Sequence, residues 1–323
     1  MRLMLDNPFH RAVYLTGATA VGKTAVGVAL ARRLDAEIIA LDSMTLYRGM
    51  DIGTAKPNEE ERGGVPHHLI DVVDAWESAS VAQYLGWAAA VFREIEARGN
   101  RVLFVGGTPL YLKALLRGLF EGPAANLRLR EELEAEAERD GDGALHQRLG
   151  AIDPSTAKRL HPNDRRRVIR ALEVASATGR PMSDFQKEHD QTAPETVAVF
   201  SLERPREELC ARIDQRVLTF FEEGLIEEVR GLLGGMRPLH DVPAQGVGYR
   251  EVIELLAGRV SGDETIRRVQ ARTRQFAKRQ GTWFRGLKEV RPFGVSGEAS
   301  IGELAGRLAE RVMEVEHESD LSG

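Results

Sequence analysis

The sequence predicts an α/β fold: a P-loop NTPase-like parallel sheet core with a mainly helical insertion domain. Three observations predict it. Gly17-Ala18-Thr19-Ala20-Val21-Gly22-Lys23-Thr24 fits the phosphate-loop pattern G-x-x-x-x-G-K-[ST], with an apolar run before it and a helix-forming run after it. Short apolar runs recur at 36–41, 101–105 and 197–202, separated by helix-like segments, as buried parallel strands require. From about 121 to 194 the strand-like runs disappear, and that stretch reads as helices inserted into the core.

Taken in order, Ala12-Val13-Tyr14-Leu15 is the first strand. Gly17 and Gly22 let the chain turn tightly and aim backbone N–H groups at an anion. The helix that follows, 25–34, adds the positive end of its dipole. Lys23 supplies a point charge and the Thr24 hydroxyl can hold Mg²⁺. The second strand, 36–41, ends in Asp42-Ser43. Ligands of open α/β sheets lie at the carboxyl ends of strands, so Asp42 is expected beside the loop. Asp-Ser is also a common cap or turn pair. The loop 47–57, with Gly49, Gly53 and Pro57, is long enough to suggest a role. His67-His68 raises the question of a metal, but no further ligand set accompanies them.

A helix over 80–97 follows, with Ser78 or Ser80 as its cap. The strand 101–105 ends in Gly106-Gly107-Thr108, where many phosphate-loop ATPases carry a Mg²⁺-holding aspartate. The glycines permit close approach of a ligand or another backbone, and Thr108 offers a hydroxyl. Within the insertion, 127–138 is a charged helix. A second helix opens at His161-Pro162-Asn163-Asp164, carries Arg165, Arg166, Arg167 and Arg170, and stops at Thr178-Gly179-Arg180-Pro181. After the strand 197–202, a helix from Leu209 carries Arg212 and Arg216 one turn apart. Ala244-Gln245-Gly246-Val247-Gly248-Tyr249-Arg250 is a second glycine-bearing loop, and Asp263 is expected to cap a long helix to about 284. The last thirty or so residues read as an acidic tail helix with a disordered end from Glu318. The expected organisation is a catalytic core of 1–120 and 195–290, an insertion of 121–194, and a C-terminal helix and tail of 291–323.

Composition sets bounds. The 323 residues carry a net charge of −5, which argues against a general nucleic-acid binder. Cys210 is the single cysteine, so no intramolecular disulfide forms. No apolar run approaches the roughly 20 residues of a membrane span. Met1-Arg2-Leu3-Met4-Leu5-Asp6 is too short and interrupted for a signal peptide, and a cytoplasmic location is expected. Local charge tells a different story. From 267 to 288 stand Arg267, Arg268, Arg272, Arg274, Lys278, Arg279, Arg285 and Lys288, with no acid among them and with Trp283 and Phe284 alongside. Such a run is ordinarily a solvated face. Its companion cluster at Arg165 to Arg170 favours a phosphate backbone as partner.

These motifs together resemble the bacterial tRNA dimethylallyltransferase (tRNA isopentenyltransferase) family. The resemblance rests on the phosphate loop, Asp42-Ser43, Tyr47-Arg48-Gly49-Met50-Asp51-Ile52-Gly53-Thr54-Ala55-Lys56-Pro57 and Gly106-Gly107-Thr108. His161-Pro162-Asn163-Asp164 with Arg167 and Arg170, Val247-Gly248-Tyr249-Arg250, and Thr273 to Gln280 with Thr282-Trp283 complete it. It spans 13–283, and the Asp51 to Pro57 stretch is far more specific than the loop alone.

The resemblance implies a transferase that moves the dimethylallyl group of dimethylallyl diphosphate to N6 of the adenosine immediately 3′ to the anticodon of tRNA. The products are N6-isopentenyladenosine and diphosphate. It implies that Gly17, Ala18, Thr19, Ala20, Val21, Gly22, Lys23 and Thr24, a nucleotide-binding loop of the class that elsewhere holds ATP, cradle the diphosphate of the donor. Thr24 would ligate Mg²⁺. Asp42 would be the base, Lys23 and Arg216 would stabilise the leaving diphosphate, and Thr108 would join them. The anticodon stem-loop would meet Asp42, Ser43, Met44, Thr45, Thr108, Arg130, Arg166, Arg167, Val168, Ile169, Arg170, Gly248, Tyr249, Arg250, Arg274 and Lys278. Arg166 and Gly246 depart from the residues usual in the family. The enzyme is expected to be a monomer that does not meet the membrane. Two rival readings are a small-molecule kinase using ATP and a non-enzymatic RNA-binding module with a regulatory nucleotide. The first leaves the basic helix unexplained, the second leaves Asp42 and Gly107-Thr108 without a role.

Overall fold

The first strand, β1 (Val13–Gly17), runs straight into the phosphate loop and then α1 (Lys23–Leu34). This computed structural model describes residues 7–120, 122–123, 126–188, 192–295 and 299–320. The chain continues through β2 (Ala36–Ala40), α2 (Glu59–Arg62), β3 (His67–His68), α3 (Val81–Ala97), β4 (Arg101–Val105) and α4 (Pro109–Arg117). Five helices of the insertion follow: α5 (Leu127–Asp140), α6 (Asp142–Ile152), α7 (Pro154–Arg159), α8 (Arg165–Thr178) and α9 (Met182–Glu188). The chain returns with β5 (Ala198–Glu203), α10 (Arg206–Glu222), α11 (Leu225–Leu233), α12 (Asp241–Ala244), α13 (Tyr249–Leu256) and α14 (Gly262–Arg285). It closes with β6 (Arg291–Gly294) and α15 (Ile301–Asp320). Two compact units result, Met1–Leu116 with Ala193–Gly323, and Arg117–Thr192.

In the larger unit six strands form one sheet in the order β3-β2-β4-β1-β5-β6, every pair parallel. Parallel strands need both faces covered, and side chains alternate between faces. Tyr14, Ile39, Phe104 and Val199 face a core closed by α3 and α4, through Tyr84, Phe92, Leu112 and Leu115. Val13, Leu15, Ile38, Leu103 and Phe200 face a second core closed by α1 and α15.

The helix expected over the last thirty or so residues forms as α15, and it belongs to the core of the larger unit. Leu304, Ala305, Leu308, Val312 and Val315 lie at helical spacing and are all buried against the sheet and α1. The acidic side chains Glu303, Glu310 and Glu314 occupy the opposite, exposed stripe. The end from Glu318 is not entirely irregular, since α15 continues to Asp320; residues 321–323 lie outside the described residues. β6 carries no strand signal in the sequence, because Arg291-Pro292-Phe293-Gly294 combines a proline and a glycine, which an edge strand tolerates.

Two caps are also resolved. Ser80, not Ser78, caps α3 in a capping box with Gln83. α14 is capped by Ser261, whose Oγ accepts the Glu264 N–H at 3.3 Å; Asp263 lies instead in the first turn, where its charge suits the dipole.

The smaller unit has its own apolar centre: Leu133, Ala137, Leu145, Leu149, Ala157, Val168, Ile169, Ala171 and Leu172, drawn from α5 to α8. Its compact bounds, Arg117–Thr192, fall a few residues before those expected.

Candidate active site

The loop between β1 and α1 turns on Gly17 (φ +141°) and Gly22 (φ +107°), values that L side chains rarely adopt. A Cβ on Gly17 would also sit 2.7 Å from the Leu202 carbonyl oxygen of β5. Lys23, the first residue of α1, folds back beneath the loop and donates to the Gly17 and Ala18 carbonyls at 3.0 and 2.8 Å. Desolvation there lowers its ammonium to about 8 from 10.5; the Asp42 charge opposes that shift and the Arg216 charge adds to it.

The neighbouring strand ends supply the rest. Asp42 follows β2, and its Oδ1 accepts the Met44 N–H at 2.8 Å in an Asx turn. Burial raises the Asp42 carboxyl above its ordinary value, while the Met44 N–H and Lys23 hold it back. Asp42 is therefore a turn residue, and its carboxylate lies close enough to Lys23 for the two charges to interact. At the end of β4, a Cβ on Gly106 would lie 2.1 Å from the Leu41 carbonyl oxygen. No side chain fits there. One on Gly107 would meet Gln280 Nε2 at 2.6 Å and Lys23 Nζ at 3.5 Å. Thr108 Oγ1 accepts the Ser43 N–H at 3.0 Å, which ties β4 to the Asp42 turn. Lys23, Asp42, Ser43 and Thr108 thus meet where the carboxyl ends of three adjacent strands converge, as open α/β sheets arrange their sites.

Arg216, on α10, is half-buried and has no hydrogen bond or ion pair among the described residues. Burial, and then the like charge of Arg212, lower its guanidinium. Arg216 thus stands near enough to Lys23 for the two positive charges to act on each other, with the Glu61 charge partly opposing the shift. Two further arginines brace the loop, Arg212, which the sequence marks by its spacing from Arg216, and Arg204, which it does not mark. Arg204 Nε donates to the Val21 carbonyl at 2.8 Å, and Arg212 Nε to the Ala20 carbonyl at 2.9 Å. They hold a loop in which Ala20 itself has φ +64°. Arginine spacing on α10 was the available signal for Arg212; nothing local marked Arg204.

The loop 47–57 serves the site as scaffold. Lys56, its side chain 4% exposed, reaches the Tyr47 carbonyl and the Asp51 and Asp71 carboxylates. Glu228 of α11 accepts the N–H groups of Asp51, Ile52 and Gly53 and the Tyr249 hydroxyl. Gly246 lies where a Cβ would be 2.8 Å from the Met44 methyl. The glycine-bearing loop 244–250 therefore adjoins the Asp42 to Thr45 turn. Gly248 takes φ +95° and donates its N–H to Glu251, and Arg250 pairs with Glu254 at 3.5 Å.

The profile of the family described as IPP transferase matches residues 45–287, and that described as isopentenyl transferase matches 11–72. The chain belongs to the IPP transferase family. A tRNA dimethylallyltransferase of Geobacter metallireducens is 47% identical over 288 residues, covering 89% of this chain and 93% of the relative. One from Pelotomaculum thermopropionicum is 44% identical, covering 94% and 97%. Among solved structures, the full-length tRNA isopentenylpyrophosphate transferase of Bacillus halodurans is 40% identical with a TM-score of 0.70, covering 96% of this chain and 99% of that one. A eukaryotic dimethylallyltransferase acting on tRNA is 26% identical with a TM-score of 0.77, covering 94% and 78%.

Several residues expected to meet RNA in this IPP transferase family member have their side chains turned elsewhere. Val168 and Ile169 are buried in the smaller unit's core, and Tyr249 is 1% exposed. Only their backbones remain to contact a ligand. Arg130 and Arg170 both pair with Glu173, which is fully buried and also accepts the Asn126 N–H. Burial alone would raise the Glu173 carboxyl; the two arginines and Asn126 overcome it and hold it low. Arg166 is exposed without an ion pair among the described residues, and Arg167 is exposed with a 3.4 Å contact to Asp164.

The basic run on α14 is likewise less bare than its sequence suggests. Arg267 and Arg268 pair with Glu264, Arg268 also with Glu254, Arg272 with Glu251 and Arg274 with Asp214. The neutralising acids come from α10, α13 and the start of α14. Among the described residues Lys278, Arg279 and Lys288 are exposed and in no ion pair, and the Arg279 guanidinium lies 5.9 Å from the centre of the Phe276 ring.

The histidine pair is structural. His68 Nε2 lies 2.6 Å from Glu37, which also takes Arg98 and Asn100; His67 Nδ1 meets the Val65 carbonyl. Among the described residues no group of three or more His, Cys, Asp or Glu is placed to hold a metal. The Arg98 hydrogen bonds lead in lowering the Glu37 carboxyl to about 2 from 4.5. Its folded value is depressed, so its contribution to stability is complete above pH 4.5 and is lost as the pH falls toward 2. Glu37→Gln is expected to destabilise the fold near neutrality, because it removes the charge that the half-exposed Arg98 and its neighbours hold in the ionised form. The gap between variant and wild type should narrow as urea unfolding is repeated from about pH 7 to about pH 3. A gap independent of pH would show that the carboxylate's charge contributes nothing.

Proposed function

We propose that this enzyme transfers the dimethylallyl group of dimethylallyl diphosphate to N6 of the adenosine immediately 3′ to the anticodon in tRNA. The juxtaposition of the Asp42 carboxylate with Lys23 and the phosphate loop carries this reading. One sheet edge offers a base to an acceptor and a cationic cradle to a leaving diphosphate. The N6 lone pair is delocalised into the adenine ring, so the amine is a weak nucleophile. As the N6–C1 bond forms, the amine proton passes to Asp42; as the C1–O bond breaks, the electron pair leaves with the diphosphate. Backbone N–H groups, Lys23 and Arg216 meet that developing charge in fixed positions.

Thr24, half-buried in the first turn of α1, would hold Mg²⁺, which supplies charge neutralisation to the diphosphate oxygens. Such an ion needs only one or two protein oxygens, because phosphate and water complete its shell. A cytoplasmic monomer fits the reading. No helix among the described residues is long and apolar enough to cross a membrane.

Lys278 and Arg279 on α14, and Arg166 in the smaller unit, are exposed cations in no ion pair among the described residues and are available to meet RNA phosphates. Lys278→Gln combined with Arg279→Gln should weaken tRNA binding and lower the slope of log affinity against log salt by up to about two units. An unchanged slope would return this stretch of α14 to the status of a solvated face.

The direct test incubates the enzyme with unmodified tRNA, Mg²⁺ and dimethylallyl diphosphate, without ATP. A mass gain of one dimethylallyl group on adenosine is expected. No gain without ATP, with stoichiometric ATP consumption when it is added, would favour a kinase.

A further inference from the structure

Gln280 is buried, 3% exposed, in the middle of an otherwise basic stretch of α14. Its carboxamide makes two bonds, one to each side. Oε1 accepts the Thr19 N–H of the phosphate loop at 2.9 Å, and Nε2 donates to the Gly107 carbonyl at 2.7 Å. A neutral amide is the side chain that presents a donor and an acceptor at one end without charge.

The two partners sit where the sheet no longer holds its strands together. The β1–β4 register covers only Val13 to Leu15 against Leu103 to Val105. Beyond it the Gly106 N–H reaches the Leu15 carbonyl at 3.1 Å and Thr16 Oγ1 reaches the Gly106 carbonyl at 2.9 Å. The next link is Gln280. Gly107 is shaped to it, since any Cβ there would fall 2.6 Å from Nε2. Thr108, one residue on, ties this strand end to Ser43 and hence to the Asp42 turn. A carboxamide on α14 thus bridges the segment bearing the diphosphate cradle and the segment bearing the base. It also occupies the Thr19 N–H, which leaves later N–H groups of the loop to an anion.

We propose that Gln280 is a positioning residue that fixes the phosphate loop against the strand end joined to Asp42, and so sets the distance between donor and acceptor. The inference rests on the transfer reaction proposed above. Misplacing reacting groups by about 1 Å costs on the order of 10²-fold in rate. Gln280→Met keeps the length and apolar stem and removes both bonds. Gln280→Glu keeps an acceptor for Thr19 but opposes a carboxylate to the Gly107 carbonyl until that carboxyl is protonated.

Single-turnover transfer at saturating substrates, tRNA affinity and thermal melting are measured for both variants beside wild type. The expected result is a rate loss of about 10- to 100-fold in each, with tRNA affinity unchanged. The ratio of the Gln280→Glu rate to the wild-type rate should rise as pH is lowered from about 8 to about 6, because protonation restores a donor to Gly107. A role confined to folding would shift melting and leave that ratio flat. Wild-type rates in either variant, or a flat ratio, would overturn the proposal. Should Gln280→Met not fold, the pH response of Gln280→Glu decides alone. An inactive wild type would count against the transfer reaction itself.

Discussion

Asp42→Ala is expected to slow single-turnover transfer by about 10²–10⁴-fold, the usual worth of a positioned base, while tRNA affinity stays near wild type. Position supports the role, because Asp42 terminates β2 beside β4 and the cradle after β1. Its environment supports it as well. Burial raises the carboxyl toward the working pH, where a base best combines ionisation with proton affinity; the Met44 N–H and Lys23 keep it from rising further. The sign of the pH dependence follows. Transfer needs the ionised form, so the wild-type rate falls as pH drops through the raised value, and the alanine variant lacks that limb. A near-wild-type single-turnover rate in the variant would remove Asp42 from the chemistry.

Lys23→Met should lower transfer by about 10²–10³-fold, in the range seen when a single preorganised stabiliser of developing charge is lost. In the free enzyme the ammonium is held to about 8 by desolvation beneath the loop, and it bonds the Gly17 and Ala18 carbonyls. A diphosphate arriving in the loop favours the charged form. Donor affinity should therefore decline as pH rises past about 8 in wild type and stay flatter in the variant. Calorimetric titration of the donor at several pH values checks this. An identical pH profile in both proteins would mean that Lys23 does not meet the diphosphate.

The readings that held depend on neighbours in the chain. The Gly17 to Thr24 loop, the apolar strands, the helical run of the insertion and the glycines after β4 announce themselves through spacing and residue type within a dozen positions. Gly106 and Gly107 were singled out as places of close approach. A Cβ on either glycine would collide with Leu41 or Gln280, which gives that a physical cause.

The partners of these elements lay beyond such signals. Gln280 reaches Thr19 across 261 positions, and Arg204 reaches Val21 across 183. Periodicity carries no information about pairings of that separation. The same limit explains the run from Arg267 on α14, whose unbroken positive charge suggested a bare face. Glu251, Glu254 and Asp214 neutralise much of it from other helices, and only the fold brings those carboxylates there. It explains α15 too, since a stripe of Leu, Ala and Val among acids is amphipathic in any surroundings. Residue type and local spacing specify which chemistry is available. Which of those groups stay free to perform it is decided by burial and by the counter-charges that distant segments bring, because desolvation and ion pairing act through space and not along the chain.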